Sequence, residues 1–63
     1  MQISRTSALT GNTRTLDLNV TMEQMFAYAN GALLQDAFPQ LTADEREFIK
    51  TGITAEEWDT AFA

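Results

Sequence analysis

Apolar residues alternate with polar ones at Leu16, Leu18 and Val20, at the end of a Thr- and aliphatic-rich stretch of twenty residues, and the spacing then changes to that of helices for the rest of the chain. Residues 2–9 and 13–20 are rich in threonine and aliphatic side chains and flank Thr10-Gly11-Asn12, a hairpin signal. With Gly11-Asn12 as a two-residue turn, Ile3 lies opposite Val20, Arg5 opposite Leu18, Ser7 opposite Leu16 and Leu9 opposite Arg14. Ile3, Leu9, Leu16, Leu18 and Val20 then share one face, while Ser4, Thr6, Ala8, Thr15, Asp17 and Asn19 form the other. A one-residue slip would split the apolar set, so a loop of even length is expected.

Three helix starts follow, each a Ser/Thr-x-x-Glu/Gln capping box: Thr21 with Gln24, Thr42 with Glu45, and Thr54 with Glu57. Val20 with Met25 and Ile53 with Trp58 have the spacing of hydrophobic staples at the first and third. Met22, Met25, Phe26, Ala29 and Leu33 form a stripe expected to face the hairpin. Asn30-Gly31 predicts a break or kink, residues 32–38 a further turn or two of helix stopped by Pro39, and Thr51-Gly52 the end of the helix begun at Thr42. Phe48, Ile49, Ile53, Trp58 and Phe62 are expected to pack as an αα-corner. The fold class predicted is α+β, one domain over residues 1–63, with an N-terminal β-hairpin (2–20) packed on three to four short helices (21–63).

A chain of 63 residues has a thin core, burying only ~60% of the surface its unfolded form exposes. With no Cys and no His it has neither disulfides nor thiolate or imidazole metal ligands to reinforce it, which leaves assembly with another chain. No apolar run approaches the ~20 residues of a membrane span, and Met1-Gln2-Ile3-Ser4-Arg5 lacks the apolar stretch of a signal peptide. A cytoplasmic protein is expected. The net charge of −5 is unevenly spread: Arg5 and Arg14 are the only charges in the first sixteen residues, and all nine acids follow, faced by Arg46 and Lys50.

The missing His and Cys remove the commonest general base and the best nucleophile, so no catalytic residue is assigned and the chain is read as non-enzymatic. The acids fall in exposed-looking first turns, where the helix dipole favours them. Asp44-Glu45-Arg46-Glu47 and Glu56-Glu57-Trp58-Asp59 lack the ligand alternation and central Gly of a calcium loop, so neither metal nor cofactor is expected. Residues 42–63 have helix-turn-helix spacing, but the second helix opens with Ala55-Glu56-Glu57, the wrong charge for a DNA-reading helix.

Partner binding is the remaining class. Two strands alone are marginal, and the predicted hairpin has a long edge without Pro or Lys to blunt it, so strand addition by another protein or a second copy is expected. Trp58 is read as core and Phe62, near the C-terminal end, as interface. Arg5 and Arg14 on the hairpin and Trp58 and Phe62 on the last helix are the candidate partner-binding residues. The charge pattern disfavours nucleic acid and leaves two alternatives, a hairpin binder using Arg5 and Arg14 or an acidic mimic of nucleic acid.

The chain resembles a group of small bacteriophage accessory proteins. The likeness runs from Ser4-Arg5-Thr6-Ser7-Ala8-Leu9-Thr10-Gly11 through Arg14-Thr15-Leu16-Asp17-Leu18 and Gln35-Asp36-Ala37-Phe38-Pro39. It is densest at Leu41-Thr42-Ala43-Asp44-Glu45-Arg46-Glu47-Phe48-Ile49 and Thr51-Gly52-Ile53-Thr54-Ala55-Glu56-Glu57-Trp58-Asp59. The resemblance implies a protein acting in the host cytoplasm, through a host protein or as a minor virion or assembly component. It brings no catalytic or binding residues.

Overall fold

The order of elements in the computed structural model, which describes residues 1–62, is two strands followed by four helices. Strands β1 (Gln2–Thr6) and β2 (Thr13–Asp17) form an antiparallel ribbon, and α1 (Met22–Ala29), α2 (Leu34–Ala37), α3 (Ala43–Thr51) and α4 (Ala55–Phe62) follow. The α+β hairpin-and-helices fold is thus present, with α1 and the short α2 on either side of the Asn30-Gly31 break.

The register differs from the one expected. Ile3 pairs with Leu16 and Arg5 with Arg14, so the connection is a six-residue loop over 7–12 instead of a two-residue turn. The cause is the Ser7 hydroxyl. It accepts from the amides of Leu9 and Thr10 at 3.1 and 3.3 Å, while Ser7 N–H donates to Asn12 and its carbonyl accepts from Gly11. Local side-chain bonds of this kind compete with ladder pairing and close the loop early. Both loops are of even length, so Ile3 and Leu16 stay on one face, followed by buried Leu18 and Val20. Leu9 leaves that face and is 42% exposed. The outer face carries two cross-strand hydroxyl pairs, Ser4 with Thr15 at 2.6 Å and Thr6 with Thr13 at 2.9 Å.

All three capping boxes form. Thr21 and Gln24, Thr42 and Glu45, and Thr54 and Glu57 exchange side-chain and backbone bonds at 2.9–3.2 Å. Helix α1 ends at Asn30-Gly31 in a Schellman arrangement, with Gly31 N–H donating to Tyr28 and Ala32 N–H to Ala27. The stripe expected to face the hairpin is split: Met25 packs against the core, while Met22 and Phe26 of α1 and Leu33 beyond it are 55–63% exposed. Met25 and Tyr28 take the inner side, and the Tyr28 ring meets Phe38 edge-on at 5.8 Å.

The core gathers Ile3, Leu18, Val20, Ala37, Phe38, Leu41, Phe48 and Ile49. Phe38 and Phe48 are its fully buried aromatics, each contributing roughly 1.5–3 kcal/mol by leaving water. Helix α3 also fastens β1. Ala8 N–H donates to Thr51 O at 3.0 Å, and the Arg5 guanidinium reaches Lys50 O at 3.3 Å. Gly52 caps α3 at φ +78°, and a Cβ there would collide with the Thr6 carbonyl. Two reasons therefore require glycine, the left-handed backbone and the close approach of the ribbon.

Candidate functional site

Two features of the ribbon and the last helix stand apart from the core. The first is the free margin of β2. In an antiparallel pair, residues alternate between those bonded to the partner strand and those whose amides point away. The bonds Ser7 N–H to Asn12 O and Leu18 N–H to Met1 O fix the phase, so Thr13, Thr15 and Asp17 direct their backbone groups outward from β2. The corresponding margin of β1 is partly closed, since Gly52 lies against the Thr6 carbonyl and the following residue pair, Ala8 and Thr51, is hydrogen-bonded. On the β2 side no helix backbone bond reaches Thr13, Thr15 or Asp17 among the described residues.

The second feature is α4. Its one buried residue is Glu57, at 7% exposure, whereas the sequence places this acid in an exposed first turn. The carboxylate completes the capping box at Thr54, accepts from the Thr10 hydroxyl in the hairpin loop, and faces Arg14 Nη1 at 2.8 Å. That nitrogen is sealed from solvent and makes no well-aligned hydrogen bond, so its contact with Glu57 is mainly one of charge. The Thr10 hydroxyl is the main reason the acid is held at about 2 instead of an ordinary 4.5; burial opposes the shift, and the Thr54 amide and Arg14 reinforce it. A carboxylate so stabilised is a poor general base. A groove of about 290 Å³ beside it is lined by Leu9, Thr10, Asn12, Arg14, Thr60 and Ala61.

The aromatic pair on α4 lies outside the core. Trp58 is 47% and Phe62 64% exposed, and their rings lie 4.5 Å apart at a tilt of 43°. The αα-corner predicted from the sequence is therefore incomplete. Phe48, Ile49 and Ile53 are buried, while Trp58, expected in the core, and Phe62, expected at the surface, lie exposed together.

The four candidate residues fall into two groups. Arg5 and Arg14 sit opposite each other on the helix-facing side of the ribbon, engaged by Lys50 O and Glu57 respectively. Trp58 and Phe62 share the outer side of α4. Sequence reasoning missed Glu57 as the link between these groups, and it missed the loop-forming role of Ser7. For the second the available signal was a Ser two and three residues ahead of Leu9 and Thr10, the spacing at which a hydroxyl reaches following amides; for the first there was none, because the partners are far apart in sequence.

Among the described residues no group of His, Cys, Asp and Glu is arranged to hold a metal ion, and no helix is long and apolar enough to cross a membrane. No family model, curated protein or solved structure matches the chain.

Proposed function

We propose that the chain is a non-enzymatic binding module that acts in the cytoplasm and pairs the β2 margin with a strand of another protein, a second copy of itself included. The observation that carries this reading is the outward-facing backbone of Thr13, Thr15 and Asp17 beside a ribbon only two strands wide. A third strand would satisfy those groups and widen the sheet at little cost, because the ribbon is already ordered by its loop and by α3. The engagement of both ribbon arginines within the molecule favours a protein over a nucleic acid as partner, since phosphate binding draws on free Lys and Arg. The likeness to phage accessory proteins would make the partner a host protein, but the proposal stands without it.

Thr15→Pro provides the test. Its amide points away from β1, so proline there removes an outward donor without deleting a backbone ladder bond, and Thr15→Ala, which loses the same hydroxyl contact with Ser4 but keeps the amide, is the control. Light scattering of the purified protein and capture of proteins from a lysate are to be run on all three forms. Association by the native chain that Thr15→Pro abolishes and Thr15→Ala retains is the expected result. A strict monomer that retains nothing, or equal association by the native chain and Thr15→Pro, overturns the reading.

A further inference from the structure

The outer side of α4 borders a second groove, between the start of α3 and the start of α4. Ala43, Ile53 and Ala55 form its apolar part, Trp58 and Thr54 line it as well, and Asp44 and Glu47 supply the acids. Its volume, about 240 Å³, falls below the roughly 300–1,000 Å³ of small-molecule sites and suits a single long side chain.

Among the described residues the acids of this groove have no counter-ion. Asp44 and Glu47 are three residues apart on α3 and so share a side of the helix. The ion pairs among the described residues are those of Arg14 with Glu57 and of the Met1 amine with Asp17. Arg46, between the two acids in sequence, turns away to donate to the carbonyls of Phe38 and Pro39 at 2.9 and 3.1 Å. Arg5 is directed to Lys50 O, and Lys50 lines a different groove with Tyr28 and Leu33. The Thr51 hydroxyl lies 2.9 Å from the Glu47 carbonyl and 3.0 Å from one oxygen of its carboxylate, so its one proton is shared between them, and the second carboxylate oxygen has no partner among the described residues. The Phe62 ring lies against Trp58 at a tilt of 43°.

We infer that this groove takes an arginine side chain from a basic segment of a partner protein. The match is one of charge and shape. A groove that brings together an indole, two carboxylates and aliphatic side chains offers a guanidinium a cation–π contact, acceptors suited to its planar fork, and a surface for its aliphatic stem. Lysine lacks the fork and the planar face, so arginine is the preferred occupant. The inference rests on reading the chain as a binding module, but it uses a surface separate from the β2 margin.

Trp58 is the chain's one tryptophan, so its fluorescence reports on the groove directly. The experiment is a titration of the whole protein with an end-blocked Gly-Arg repeat peptide, and with Gly-Lys and Gly-Asp counterparts, at low and moderate salt. A saturable response to the arginine peptide is expected, with the lysine peptide about fivefold weaker or worse and the aspartate peptide silent. The double variant Asp44→Asn/Glu47→Gln should lose at least about fivefold, while Glu23→Gln/Asp36→Asn, which removes the same charge elsewhere, should stay within about twofold. Circular dichroism checks that both remain folded. Absence of a saturable response, equal weakening in the two double variants, or lysine binding as tightly as arginine overturns the inference. Thr15→Pro should retain peptide binding, so a failure here is separable from a failure of strand pairing.

Discussion

Helices α3 and α4 are of similar length, each starts with a Thr-x-x-Glu box, and they are joined by a short turn, yet they are attached to the molecule in opposite ways. Helix α3 buries Phe48 and Ile49 in the core and receives the ribbon at its C-terminal end. Helix α4 buries a single residue, and that residue is an acid. Apolar burial is non-directional and tolerates small shifts, whereas a carboxylate held by a hydroxyl and a guanidinium depends on geometry and on charge. The difference teaches that the aromatic side chains of α4 are not what fastens it, and this is why they lie at the surface.

The largest effect that would sharpen this contrast is expected from Phe38→Ala. Truncating a fully buried phenylalanine costs about 3–5 kcal/mol, comparable to everything a core this small supplies. The variant should be largely unfolded by circular dichroism at 25 °C, with α3 and α4 lost together. Gly52→Ala comes next. It forces an L-residue into the left-handed region and drives a methyl group into the Thr6 carbonyl, so a loss of about 1–3 kcal/mol is expected in urea denaturation. Were Gly52→Ala neutral, the seating of the ribbon on α3 would be wrong.

The smallest and most local effect belongs to Glu57→Gln. Glutamine can complete the capping box but leaves Arg14 without its countercharge, so α4 should detach while the core persists. Amide exchange measures this directly: α4 amides should lose protection and α3 amides keep theirs. The same link gives a pH dependence. Because the acid sits near 2 in the folded protein and at 4.5 when free, its contribution is complete above about pH 4.5 and disappears as the pH falls toward about 2. Protection of α4 in the native chain should fall through that window relative to α3, and the Glu57→Gln profile should be flat there. Uniform loss across both helices would show that α4 is bound by more than its acid.

The parts of the molecule legible in the sequence were those written locally. Each capping box uses a hydroxyl and an amide side chain or carboxylate three residues apart, so Thr21, Thr42 and Thr54 marked helix starts without reference to anything distant. The Asn30-Gly31 break and the Gly52 stop were equally local, because positive φ is a property of one residue. Which side of α1 turns inward was not local. Tyr28 wins that place because Phe38 is there to meet it, Met25 because it packs on the core, and spacing alone cannot rank them against Met22 and Phe26. The ribbon was readable as a hairpin, but its pairing depended on whether the Ser7 hydroxyl outcompeted a tight turn. The Glu57 link was out of reach, since 47 residues separate it from Thr10. Of the candidate residues, the ribbon arginines and the α4 aromatics were placed on the right elements, while the exposure of Trp58 and the inward use of Arg14 required coordinates.

The hydroxyl pairs on the outer side of the ribbon have a consequence for how it meets anything else. Ser4 with Thr15 and Thr6 with Thr13 act as two rivets between the strands, and sliding one strand past the other would shear both at once. A ribbon riveted in this way presents its row of free peptide groups at fixed intervals. An incoming chain is offered one alignment, and selectivity among strands of similar composition can arise from phase alone.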